Sequence, residues 1–258
     1  MLDGLRLAFG TLTAIPVTAP GRIDRPVAGR AMALAPLTQL PLAALLLLWG
    51  WAVHEAPVPP LLAAAAALVA VTLATRGMHL DGLADTADGL SASYDRPKAL
   101  DVMRRSDIGP SGVAAVVLVL LVDTAALTSL LTTPHGVALA CLSLLASRHL
   151  LAWACSVGVP SARSEGLGAT VAGSVPRVVV ALGFVLLLGL SAGTSQATGS
   201  SWWVGPVVVG SAVLAGVAVI HRAIRRLGGI TGDVLGTVIE VSFAAALTVS
   251  AILATVTR

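Results

Sequence analysis

Seven apolar runs follow one another along the chain with only short polar joints between them, and that succession decides what it can fold into. They lie near Ala31 to Val53, Pro60 to Gly77, Pro110 to Leu131, Gly136 to Val159, Val175 to Leu190, Trp202 to Ile220 and Val234 to Val256. At about 1.5 Å of rise per residue each crosses, or nearly crosses, a hydrocarbon core of about 30 Å, with Val175 to Leu190 the shortest. No alternation of period two supports a closed barrel, which leaves helices as the way to satisfy every backbone polar group in lipid. The chain is 56% hydrophobic and 11% charged, whereas a soluble domain carries about 25% charged residues. These features predict an all-α, polytopic integral membrane bundle of about seven transmembrane helices. It forms a single membrane-embedded domain over residues 1–258 with no soluble domain left over.

The joints differ in charge, which predicts orientation, because Lys and Arg accumulate on the cytoplasmic side. Arg6, Arg22, Arg25 and Arg30 precede the first run, and Arg76, Arg96, Lys98, Arg104 and Arg105 lie between or beside the second and third. Arg163 and Arg177 follow the fourth, and Arg222, Arg225 and Arg226 follow the sixth. The alternate joints, around His54-Glu55, Thr132 to His135 and Ser191 to Ser201, contain no Lys or Arg. The expected location is therefore the plasma or inner membrane, with a cytoplasmic amino terminus and Arg258 outside. The formal charge of +3 follows from this asymmetry and does not indicate nucleic-acid binding. Leu2, Leu5, Phe9 and Leu12, with Pro16 as a stop, predict an interfacial helix rather than a signal peptide. Trp49, Trp51, Trp202 and Trp203 suit an aromatic belt. Cys141 and Cys155 fall about four turns apart on one predicted helix, too far to pair.

Against this apolar background, Asp81, Asp85 and Asp88 place three of the thirteen acids within eight residues. Their spacing of i, i+4, i+7, at about 100° per residue, sets them within about 60° of arc on a helix. Unscreened carboxylates so close repel one another, so a coherent cluster points to a cation, and oxygen-only donors point to Mg²⁺ or Mn²⁺ rather than zinc. Mg²⁺ is commonly held by one or two carboxylates together with substrate phosphates, which suggests a phosphorylated substrate. The plainer reading, a solvated loop helix, suits any one of these acids better than all three. Gly82 and Gly89 are costly in an exposed helix, at about 1 kcal/mol each, and suggest that something bulky approaches the backbone. Arg104 and Arg105, with Asp107 beside them, suit phosphate oxygens.

The segment Gly77-Met78-His79-Leu80-Asp81-Gly82-Leu83-Ala84-Asp85-Thr86-Ala87-Asp88-Gly89 resembles the signature of the cobalamin synthase family, the adenosylcobinamide-GDP ribazoletransferases. Three further segments resemble family motifs in the family's order: Leu5 to Pro16, Ser161 to Gly168 with its Arg-x-Glu-Gly-Leu-Gly, and Gly229 to Gly236 with its Thr-Gly-Asp-x-Leu-Gly. One departure stands out. The family's Lys-Asp-Ser-Arg-Ile-Gly reads Arg104-Arg105-Ser106-Asp107-Ile108-Gly109 here, exchanging an Asp and an Arg.

The resemblance implies transfer of the cobinamide phosphoryl group of adenosylcobinamide-GDP to α-ribazole or its 5′-phosphate, with release of GMP. Asp81, Asp85 and Asp88 would hold one or two Mg²⁺ ions, one of them accepting a proton. Arg104, Arg105, Asp107, Arg163, Glu165 and Asp233 join as substrate-binding candidates on the same side of the membrane. His79 lies about 160° from Asp81 on an ideal helix, so it serves as a substrate binder or base only if that segment is unwound. Asp123, Arg148 and Glu240 fall within apolar runs, where charged groups must face the bundle and find partners. Pairing is the expected role for Asp123, while Arg148 is also a site candidate. Membrane lipid is an expected partner, and a homo-oligomer is left open. Two alternative readings are another Mg²⁺-dependent membrane phosphotransferase or prenyltransferase, and a cation transporter, whose site would lie near the membrane midplane on broken helices.

Overall fold

The computed structural model describes residues 1–56 and 58–256, and among these it is helical, with two isolated β-bridges and no strands. Arg258, expected outside, is not among the described residues. Helix α1 (Leu2–Leu12) turns Gly4, Ala8 and Leu12 inward. Of the apolar residues that set its periodicity only Leu12 is buried. Asp24 then caps α2 (Arg25–Ala33) by accepting from the Val27 amide at 2.8 Å. A 3₁₀ segment over Ala35–Gln39, with Pro36 near its start, separates α2 from α3 (Leu40–Glu55). The first apolar span therefore runs Ala35–Glu55 rather than starting at Ala31.

The second expected span takes a different form. Helix α4 (Pro60–Ala74) has 15 residues, about 22 Å at the usual rise and short of a full crossing. The chain then bends by 88° into α5 (Met78–Ala92). Arg76 and Gly77 make the corner with φ of 58° and 64°, a left-handed region natural for Gly77 but costly for an arginine. Arg76 is held there by its Nη2, which donates to the carbonyls of Gly10 and Thr11 at 3.0 and 3.1 Å. The Ala14 amide donates to Ala74 across the same joint. The end of α1 thus fixes the direction in which α5 leaves.

After α6 (Arg96–Val102) come α7 (Pro110–Leu130), α8 (Pro134–Ala154), the short α9 (Leu167–Val171), α10 (Arg177–Ala197), α11 (Val204–Leu227) and α12 (Gly232–Val256). Six spans are long and apolar enough to cross a membrane, or seven if α4 and α5 count as one broken span. The chain is a multi-pass membrane protein. Helix α10 runs 21 residues, so the shortest expected span is full length. Helix α8 forms the centre, with 83% of its apolar window buried, whereas the windows of α7 and α10 are 22% buried. Leu118, Leu121, Leu182 and Leu186 point outward from those peripheral helices, as lipid-facing residues do. Trp51, Trp202 and Trp203 are exposed where α3 ends and α11 begins, the end opposite α5. Cys141 and Cys155 are buried and free.

Candidate functional site

Helix α5 lies across one end of the bundle, packed against α12 and α7. Its packed side carries His79, Gly82, Leu83, Thr86 and Gly89. At its first turns the Thr237 hydroxyl donates to the Gly82 carbonyl at 3.0 Å, and a Cβ on Gly82 would come within 2.7 Å of the Asp233 carbonyl. At its other end a Cβ on Gly89 would come within 2.8 Å of the Ala99 carbonyl and collide with the Met103 side chain. The bulk that these two glycines admit is therefore the protein's own α12 and α6, not a ligand.

The acidic face changes character along the helix. Asp81 is exposed, Asp85 is half-buried and Asp88 is buried. Both Asp88 oxygens accept backbone N–H bonds at the start of α7, from Gly109 at 2.6 Å and Gly112 at 2.8 Å. A carboxylate suits the positive end of that helix and satisfies donors that would otherwise lack partners. The three aspartates share a face, as their spacing predicts, but Asp88 is engaged in joining α5 to α7. Among the described residues no three His, Cys, Asp or Glu side chains form a preformed metal cage.

A further acid approaches from α12. Thr231 accepts from the Val234 amide and donates to Asp233 Oδ2, both at 3.2 Å, fixing the first turn of the helix. Arg163 Nη1 lies 3.5 Å from the same Asp233 oxygen, and its Nη2 donates to the Leu100 carbonyl at 3.0 Å. The loop that carries Arg163 is tied to the approach to α12: Ile230 donates to Pro160 and Ala162 donates to Ile230, each at 2.9 Å. This pairing brings together two motifs that lie about seventy residues apart in sequence. Partial burial, followed by the charges of Asp81, Asp233 and Asp88, pushes the Asp85 carboxyl up to about 6, with Arg163 acting in the opposite sense. Carboxylates so arranged favour a proton or another cation among them.

Arg104, Arg105 and Asp107 are exposed in the turn between α6 and α7. Arg105 lies 3.9 Å from the exposed Asp101. Arg105 and Asp107 share a hollow of about 290 Å³ with Asp88, Ser91 and Ser111. The exchanged Asp and Arg of this segment therefore still face one space. Glu165 is exposed just before α9 and makes no ion pair among the described residues.

Two candidates lie elsewhere. Helix α5 is regular through His79, which is buried with its Nδ1 3.7 Å from Glu240 Oε1, off the acidic face. Arg148 is 1% exposed in the middle of the bundle. It donates to the Ser147 hydroxyl at 2.9 Å and lies 5.9 Å from the Phe243 ring centroid, and Asp123 and Glu240 are the acids in the same buried region, neither in ion-pair contact with it. It sits six residues before the end of the central helix α8, about 9 Å inward, which sets it apart from the acidic face. Arg226, in sequence one of the charges that set orientation, has a local structural role as well. Its Nη2 donates to the carbonyls of Leu90 and Ser93 at 3.2 and 2.9 Å, and the guanidinium stacks 4.0 Å from the Tyr94 ring, closing the end of α5. Arg96 similarly donates to the Ala162 carbonyl at 3.0 Å.

A family model described as cobalamin-5-phosphate synthase matches residues 4–251. A relative from Nocardioides sp. (strain ATCC BAA-499 / JS614), named adenosylcobinamide-GDP ribazoletransferase, is 44% identical over 96% of this chain and 97% of its own length. Proteins of the same name from Frankia casuarinae and Pseudomonas fluorescens are 40% and 34% identical, covering 97% and 91% of this chain and 95% and 93% of their own lengths. No solved structure matches.

Proposed function

The chain belongs to the cobalamin-5-phosphate synthase family, and from that premise we propose that it completes the nucleotide loop of cobalamin in a membrane-embedded site at the α5 end of the bundle. It transfers the cobinamide phosphoryl group of adenosylcobinamide-GDP to a ribose hydroxyl of α-ribazole or of its 5′-phosphate. The hydroxyl oxygen forms a bond to the corrinoid-side phosphorus, the bond from that phosphorus to GMP breaks, and the hydroxyl proton is lost. Adenosylcobalamin, or its 5′-phosphate, and GMP are the products. Residues 1–258 would act as one membrane-embedded domain, and the lysine and arginine bias of the joints supports a site on the cytoplasmic side of the plasma or inner membrane.

The observation that carries this reading is the meeting of Asp81, Asp85, Asp233 and Arg163 along the first half of α5, within a chain so similar to named ribazoletransferases. The donors suit Mg²⁺, or Mn²⁺ in its place: open carboxylates rather than a closed cage are what a cation shared with substrate phosphates requires. Asp81 and Asp85 would hold it, with Asp233 beside them. Bound there, a divalent cation supplies charge neutralisation at the diphosphate. Asp88 holds the α5–α7 joint. One of the carboxylates of this cluster would take the hydroxyl proton. Arg163, engaged by Asp233 and the Leu100 carbonyl, would lend its positive charge to the phosphates, while Arg104 and Arg105 would offer N–H forks to phosphate oxygens from the α6–α7 turn. Incubating the purified protein with adenosylcobinamide-GDP, α-ribazole and Mg²⁺ should yield GMP and a corrinoid of the mass of adenosylcobalamin. Unchanged substrates with folded protein would refute the reading.

A further inference from the structure

A groove of about 430 Å³ separates α2 from the start of α10; Arg25, Gly29, Arg30, Ala33, Pro176 and Val179 line it, and none of the acidic-face residues does. Its walls are mainly apolar, and its rim carries two guanidinium groups. The acids nearest in sequence are matched elsewhere, Asp3 with Arg6 at 3.8 Å and Asp24 with Arg22 at 3.3 Å. Arg25 and Arg30 have no ion pair among the described residues. Arg25 donates one Nη2 bond to the Ala172 carbonyl, and Arg30 donates from Nε to Pro26 of its own helix. The remaining N–H groups of both forks are open. Beyond the groove α10 shows Val178, Leu182, Val185 and Leu186 as an exposed apolar strip at helical spacing, the surface expected to meet acyl chains.

We propose that this groove seats the headgroup phosphate of one anionic phospholipid, whose acyl chains lie along α10. Planar guanidinium forks pair with phosphate oxygens in two-point contacts. Basic recesses between membrane helices on the cytoplasmic side take anionic headgroups. A soluble phosphate would use the two arginines but leave the apolar walls and the α10 strip unmatched.

Native mass spectrometry of the purified full-length protein, titrated with phosphatidylglycerol or with phosphatidylcholine of matched acyl chains, tests this. Wild type should retain one phosphatidylglycerol under conditions that strip phosphatidylcholine. At about 1 kcal/mol per cation near an anionic surface, the double variant Arg25→Gln/Arg30→Gln should weaken phosphatidylglycerol binding by about tenfold or more. Arg30→Gln alone loses only one bond within its own helix, so it serves if the double variant misfolds, with an expected loss of about fivefold. Arg22→Gln removes the same charge outside the groove and should stay within about twofold of wild type. Equal retention of the two lipids, an equal loss in Arg22→Gln, or displacement by millimolar inorganic phosphate or GDP would overturn the proposal.

Discussion

Two groups of charged side chains start from the same helix and face opposite surroundings. On one side of α5, Asp81 and Asp85 look toward Asp233 and Arg163 at an open end of the bundle. On the other, His79 points inward to Glu240, and beyond it lie Arg148 and Asp123, buried among α7, α8 and α12. The open group can exchange ions and meet phosphates. The sealed group can balance charge only among its own members, because an ionised side chain in the bilayer interior that lacks a partner is costly. Under the proposed function, one helix separates chemistry from architecture: the acids that face outward would act on substrate, and the charges that face inward are packed among the helices that hold α5.

The comparison can be broken most sharply at Asp233. Asp233→Asn, which removes one acid of the cluster and the charge partner of Arg163, should lower GMP release by about a hundredfold or more, with a smaller loss of stability than at the buried charges. Unfolding of Arg148→Met should show the converse, a stability loss of about 3–5 kcal/mol from leaving Asp123 and Glu240 without their cation. Turnover per folded molecule should stay near that of wild type. Asp88→Ala should cost about 2–4 kcal/mol, since it leaves the Gly109 and Gly112 amides without their acceptor. Chemical denaturation of that variant measures the loss.

The smallest expected effect is a pH slope. Asp85 binds its proton more tightly in the folded chain, at about 6, than at its ordinary 3.8. Between those values the unfolded chain binds fewer protons, so the stability of the metal-free protein should fall as pH rises through that window. Asp85→Asn should flatten the slope, and saturating Mg²⁺ should offset it by taking the proton's place. Thermal unfolding across the window reads both.

Membrane architecture was legible because apolar runs and arginine-rich joints leave few other folds. The 88° corner after α4 was not, since the left-handed Arg76 depends on the carbonyls of Gly10 and Thr11, which lie about sixty-five residues away in sequence. The shared face of Asp81, Asp85 and Asp88 follows from helical spacing, but spacing carries no information about burial, and burial is what assigns Asp88 to the start of α7. Arg163 and Asp233 each stood out by motif. Their contact depends on the backbone pairing of Pro160 and Ala162 with Ile230, a tertiary feature that no local pattern encodes. Gly82 and Gly89 signalled close approach correctly, while the approaching group proved to be other helices.

The division of labour across α5 is tested most directly by GMP release from Asp85→Asn and Asp123→Asn side by side, per folded molecule and with Mg²⁺ and both substrates present. Asp85→Asn should lose about a hundredfold or more, and Asp123→Asn should remain within a few-fold of wild type. Near-normal turnover in Asp85→Asn, or loss of turnover in folded Asp123→Asn, would contradict it.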